Sequence, residues 1–139
     1  MGIRVFGTVS QQKKTATLVA RLFSILEIPR AGVDIYYVSD TRMRELYKRS
    51  GGKDNVTNVL SFPQPKDFVD PEAGKGFLGE IYLASSHILK EAKELGISYD
   101  EWEKKLLVHG VLHLLGFDHE KEVDAVKMEK KEKDLLSIF

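Results

Sequence analysis

HGVLHLLGFDH, residues His109 to His119, holds three of the chain's four histidines, and its reading decides both the local fold and the chemistry available to it. The residues upstream, Trp102 to Leu115, have the composition of a helix. Side chains four apart on a helix lie one above the other on a single face. His109 and His113 therefore point the same way, roughly 40° and 6 Å apart, a spread that two imidazoles close onto one ion with bonds of about 2.0 to 2.1 Å. Gly116 supplies the helix end, because glycine accepts the left-handed conformation that turns the chain, and His119 can then fold back as a third ligand. Phe117 is placed to pack against Leu112, the apolar contact that accompanies such a cap. The three histidines predict a site for one metal ion of zinc type. Three neutral nitrogens with an open fourth position lower the pKa of bound water to about 7 and polarise a phosphoryl or carbonyl oxygen.

The same spacing is that of the metzincin zinc proteases, whose pattern begins HExxH. Those enzymes place their general base, a glutamate, directly after the first histidine, and here that position is Gly110. Glycine moves no proton, and inside a helix it costs about 1 kcal/mol relative to alanine. Its missing side chain therefore serves either close packing or room for a substrate beside the metal. Glutamate-assisted peptide hydrolysis is disfavoured. His87, after Ser85 and Ser86 at a helix start, reads as exposed or capping. Asp118 has two open readings, an outer carboxylate that orients a ligand histidine or a turn residue.

A chain of 139 residues suits one domain spanning 1–139, and no linker is visible. No stretch approaches the roughly 18 apolar residues of a membrane span, and MGIRVFGTVS lacks the charged start and apolar core of a signal peptide. A cytoplasmic location with no membrane partner is the expectation. Without cysteine there is no disulfide framework, and a metal site must use histidine or carboxylate. Net charge is zero, so a nucleic acid would be held by a local basic patch and not by an overall field.

Ile3 to Val9 alternates apolar and polar residues and predicts a strand. Leu18, Val19, Leu22, Phe23 and Leu26 recur at helical spacing and predict a helix from about Thr15 to Leu26. Val33 to Val38 is a second strand, Asp40 caps a short helix through Leu46, and Val56 to Phe62 is extended up to Pro63. Gln64 to Gly76 reads as a loop and Phe77 to Ala84 as the fourth strand. A helix from Ser86 to Leu95 stops at Gly96, and Ser98 with Glu101 forms a capping box for the histidine helix. Glu120 to Leu136 carries six acids and five lysines and reads as a solvated helix. This order is that of an α+β fold, a sheet layered with helices.

Between Thr41 and Lys53 the charge pattern changes: Arg42, Arg44, Lys48, Arg49 and Lys53 face only Glu45, for a local charge of +4. A basic rim beside an electrophilic ion suits phosphodiester cleavage, because cations position the phosphates while the metal stabilises charge developing at the scissile group.

HGVLHLLGFDH, preceded by KDNVTNVLSFP (Lys53 to Pro63) and LGEIYLA (Leu78 to Ala84), resembles the YbeY family of bacterial metal-dependent endoribonucleases. The ordered match runs from about Asp40 to His119. The resemblance implies one four-stranded mixed sheet flanked by helices, with the metal-binding helix in a cleft. It also implies a zinc-dependent, single-strand-specific endoribonuclease acting on ribosomal RNA of the small subunit, in maturation of the 16S rRNA 3′ end and in ribosome quality control. Its metal ligands fall on His109, His113 and His119. The family's tyrosine and arginine before Gly-Lys-Asp are replaced here by Ser50 and Gly51, so the arginine's catalytic role must pass to Arg49, to another basic side chain, or be weakened. Arg49 and Lys53 are the candidates for contacting RNA. Glu80 stands where the family commonly has aspartate.

Two other functions fit parts of the pattern. A metal-dependent hydrolase of small amides or peptides suits the histidine spacing but not Gly110. A non-catalytic ribosome-assembly factor would use the metal only to fasten Gly116 to His119 onto the helix, and a structural site of that kind normally takes four protein ligands.

Overall fold

Alternating side chains build the sheet, and the first of its strands is shorter than the alternation suggests. The computed structural model describes residues 2–65, 76–117 and 122–138. Strand β1 is Ile3–Phe6, and helix α1 already begins at Val9 and runs to Ile25. The strand expected to Val9 and the helix expected from Thr15 are both corrected by a capping box. Thr8 Oγ1 accepts from the Gln11 amide at 3.1 Å, and the Thr8 amide donates to Gln11 Oε1 at 2.8 Å. Two amide donors at the helix entrance are satisfied in this way, which makes the helix start at Val9 more stable than a longer strand.

Strand β2 (Gly32–Tyr37) follows, then helix α2 (Asp40–Arg49), strand β3 (Val59–Pro63), strand β4 (Phe77–Leu83) and helices α3 (Ser85–Leu95), α4 (Tyr99–Leu114) and α5 (Glu122–Ile138). Sheet order is β1-β2-β4-β3, parallel except for β3, which runs antiparallel to β4. This is the α+β fold with a four-stranded mixed sheet that the sequence calls for. Beside β1, Asp34 of β2 accepts from Arg4 Nε at 2.7 Å and Nη2 at 2.6 Å, a two-pronged cross-strand pair. Pro63, which has no amide to donate, sits on the outer strand β3, where a sheet tolerates it.

Ser39, and not Asp40, caps α2 by accepting from the Arg42 amide, and the helix continues to Arg49, past the expected end at Leu46. Asp40 occupies the first turn, where a carboxylate complements the helix dipole. One half of the box expected at α4 is present, with Ser98 Oγ accepting from the Glu101 amide at 3.1 Å.

Val33 and Ile35 of β2 with Ile81 and Leu83 of β4 are fully buried against α1 and α4 residues, including Val19, Leu22, Leu107, Val108, Val111 and Leu112. Helix α4 is the centre of the molecule, in contact with β3, β4, α1, α3 and α5. A helix covered on so many sides reads as apolar nearly all round over its second half, and from 106 to 114 only His109 and His113 are not buried. The charged α5 corrects the expectation of a solvated helix: Met128 and Leu135, seven apart on one face, are buried in the same core.

Candidate active site

His109 and His113 meet as their spacing predicts. Their rings stand 4.5 Å apart between centroids at 79°, with Nε2 facing Nε2 at 3.0 Å. Two nitrogens bound to one tetrahedral ion at about 2.0 to 2.1 Å stand roughly 3.3 Å apart, so the pair fits a shared ion with a movement of a few tenths of an ångström. His119 and Asp118 lie outside the described residues. Among the described residues no cluster of three or more His, Cys, Asp or Glu has metal-binding geometry.

The turn after the histidine helix takes the expected form. Gly116 has φ +98°, its amide donates to the His113 carbonyl at 3.0 Å, and the Phe117 amide donates to the Leu112 carbonyl at 3.0 Å. These are the two bonds of a glycine-ended helix cap. Phe117 packs on the cluster that contains Leu112.

Of the two readings of Gly110, the geometry selects close packing. A β-carbon there would lie 3.1 Å from Ser61 Oγ and 3.3 Å from Ile81 Cδ1, which is tight against β3 and β4. Ser61 Oγ donates to the Gly110 carbonyl at 3.2 Å and fastens the outer strand to the histidine helix. A glutamate at this position would have to displace that contact.

The histidines open onto a cleft of about 650 Å³ between β3 and α4. One wall is Thr57 to Ser61 with Pro63; the other is Trp102, Lys105, Leu106, His109 and His113, and Tyr47 of α2 and Glu132 of α5 also line it. Lys105, His109 and His113 recur every four residues and form one stripe along α4. Glu91 of α3 braces the cleft by accepting from Asn58 Nδ2 and from Trp102 Nε1, each at 3.0 Å. His87 is neither exposed nor capping: its Nε2 stands 3.6 Å from the other Glu91 oxygen, and the first residue of α3 follows Ala84, which supplies no side-chain cap.

The basic stretch before β3 is partly neutralised by its own neighbours. Arg44 Nε donates to Asp54 Oδ1 at 2.7 Å, Lys48 Nζ stands 3.9 Å from Asp54 Oδ2, and Arg42 pairs with Glu45 at 3.3 Å. The hydrogen bond from Arg44 holds the Asp54 carboxyl below its usual range. Arg49 and Lys53 are exposed, in the last turn of α2 and the loop beyond it, and neither is a cleft-wall residue. Phe62 meets Tyr82 edge-on at 5.6 Å and does not line the cleft either.

Glu132, Lys105 and Ser61 are the site residues that the motif reading passes over. Glu132 Oε1 lies 2.6 Å from His109 Nδ1. Its signal is positional, a carboxylate four after Met128 and three before Leu135 on the buried face of α5. The signal for Lys105 is its place four residues before His109.

Residues 7–139 match the family described as Endoribonuclease YbeY. The chain belongs to the YbeY family. An Endoribonuclease YbeY from Chelativorans sp. is 44% identical over 107 residues, covering 77% of this chain and 65% of that protein. The one from Aquifex aeolicus is 40% identical over 98 residues, covering 70% and 63%. The one from Neorickettsia sennetsu is 35% identical over 121 residues, covering 87% and 82%. The chain thus spans less than two thirds of the length of the first two relatives. Among solved structures, the solution structure of TM1509 from Thermotoga maritima is 29% identical, with 96% of this chain and 85% of that chain covered at a TM-score of 0.67. The YbeY family match includes the whole cleft, from Tyr47 to Glu132. Among the described residues no helix is long and apolar enough to cross a membrane.

Proposed function

We propose that this YbeY-family chain is an endoribonuclease that cuts single-stranded RNA at a site where His109, His113 and His119 hold one zinc ion. The observation that supports it most is the Nε2 pair of His109 and His113, facing across 3.0 Å in the wall of an open cleft. Bound zinc supplies an activated water and a Lewis acid for the scissile phosphoryl oxygen. The chain's own residues supply the rest. Lys105, one turn before His109, is placed to hold a flanking phosphate, and Tyr47 and Trp102 offer rings on which unpaired bases stack, worth about 1–3 kcal/mol per base. Splayed single strands present bases and backbone to such a cleft, whereas a duplex hides its bases. The cellular substrate in this reading is ribosomal RNA of the small subunit, cut in 16S rRNA 3′-end maturation and in ribosome quality control in the cytoplasm.

Amide or peptide hydrolysis is the second reading, and one feature favours it: β3, which among the described residues pairs only with β4, lines the cleft, and an extended peptide would add to such an outer strand. The packed glycine at position 110 weighs against it. The deciding experiment measures metal content, then challenges the wild type, the chelated protein and His113→Ala with single-stranded RNA, duplex RNA and peptides. Metal-dependent cutting of single strands alone is the expected result. Zinc-loaded protein that leaves RNA intact and cuts peptides would overturn the reading.

A further inference from the structure

The two ring nitrogens of His109 face different partners. Nε2 points to His113 Nε2 at 3.0 Å, and Nδ1 lies 2.6 Å from Glu132 Oε1. A carboxylate only accepts hydrogen bonds, so a neutral imidazole in this contact carries its proton on Nδ1 and leaves Nε2 unprotonated on the cleft side. We infer that Glu132 is a positioning residue, which fixes the tautomer and ring orientation of His109 so that Nε2 is presented to the metal; this rests on the zinc reading above.

Three observations support the role. Glu132 is delivered by a docked helix, because Met128 one turn before it and Leu135 one turn after it are buried in the core. Its side chain is only 15% exposed, and a carboxylate in that setting is costly unless its hydrogen bond compensates, so a leucine would serve packing better. It also approaches the nitrogen opposite the cleft-facing pair, and it forms no three-residue ligand cluster with the histidines among the described residues. That is the outer position from which carboxylates orient ligand histidines, and losing one typically lowers metal affinity by about 10- to 100-fold.

The test uses the full chain, metal-free, at a pH where imidazole is neutral. Competition with a chromophoric chelator should give a zinc affinity about 10- to 100-fold weaker for Glu132→Ala, which removes the acceptor, than for wild type, with Glu129→Ala, exposed on the same helix, unchanged. Nitrogen shifts of the His109 ring should report the Nδ1-H tautomer in the wild type and a return toward Nε2-H in Glu132→Ala. If Glu132→Ala binds zinc within twofold of wild type, whether or not it lowers the melting temperature of the metal-free protein, Glu132 does not position the ligand and the inference fails. A wild type with the Nε2-H tautomer overturns it as well. A wild type with the Nδ1-H tautomer that binds no zinc overturns the zinc reading, and with it the purpose assigned to Glu132, while leaving the hydrogen bond intact.

Discussion

Ser61 Oγ reaches the carbonyl of Gly110 at 3.2 Å, and a β-carbon on Gly110 would come within 3.1 Å of that same hydroxyl. The outer strand and the histidine helix are therefore pressed together at the position where a zinc protease keeps its base. Gly110→Ala should lower stability by about 1 kcal/mol net, since overpacking costs roughly 1–3 kcal/mol while alanine recovers about 1 kcal/mol of helix propensity. Gly110→Glu should lose more and gain no peptidase activity. Urea denaturation and a peptide-cleavage assay check both, and a stable, proteolytic Gly110→Glu would refute the packing argument.

Removing one imidazole should empty the site without dismantling the fold. His113→Ala is expected to lose bound zinc and at least 100-fold of RNA cleavage while its circular dichroism stays native, because His113 is not part of the buried core. Retention of stoichiometric zinc by the purified variant would show that the ion is held elsewhere.

Among the described residues Lys105 is the cation that lines the cleft, whereas Arg49 stands outside its walls. Lys105→Ala should weaken single-stranded RNA binding across sequences and reduce the salt dependence of log K by about one phosphate contact. Arg49→Ala should have the smaller effect. Binding isotherms at several salt concentrations compare the two, and the reverse ranking would move the RNA path toward the end of α2.

Alkaline pH should open the fold through Tyr37 and Tyr99. Burial raises both hydroxyls above their ordinary range, and the neighbouring Glu103 carboxylate raises them further. Groups with a folded pKa above the unfolded value of about 10 lend stability that is complete below pH 10 and lost as pH climbs beyond it, because the unfolded chain ionises first. Denaturant midpoints should fall above about pH 10, and absorbance titration should find these two tyrosines ionising only on unfolding. Tyr37→Phe should flatten the decline, though it also removes a 2.6 Å hydrogen bond to Thr15.

Legibility followed the distance between partners. The end of α4 could be read because its signals are local: the two cap bonds join Leu112, His113, Gly116 and Phe117. The start of α1 could not, because the apolar alternation of Ile3 to Val9 runs straight through the Thr8 and Gln11 capping pair. In α5 the charges hid a stripe in which Met128 and Leu135 flank Glu132. Glu132 contacts a histidine 23 residues earlier, a tertiary pairing that no spacing rule encodes. The basic stretch shows the same limit. Counting gives its net charge, but only folding reveals that Arg44 and Lys48 spend theirs on Asp54.

The burial of α4 on nearly every side restricts how this protein can change. Between 106 and 114 every residue except the two histidines is committed to the interior, so a variant that alters the proposed ion pocket also disturbs folding and tends to be purged with it. The opposite wall is less constrained away from Ser61, whose hydroxyl bonds the Gly110 carbonyl, and Asn58, which bonds Glu91. Thr57, Leu60 and Tyr47 are only partly buried, so under the RNA reading proposed above, divergence in the strand that is gripped can accumulate at these positions while the chemistry stays fixed. In such a scaffold, selectivity is the part that can drift.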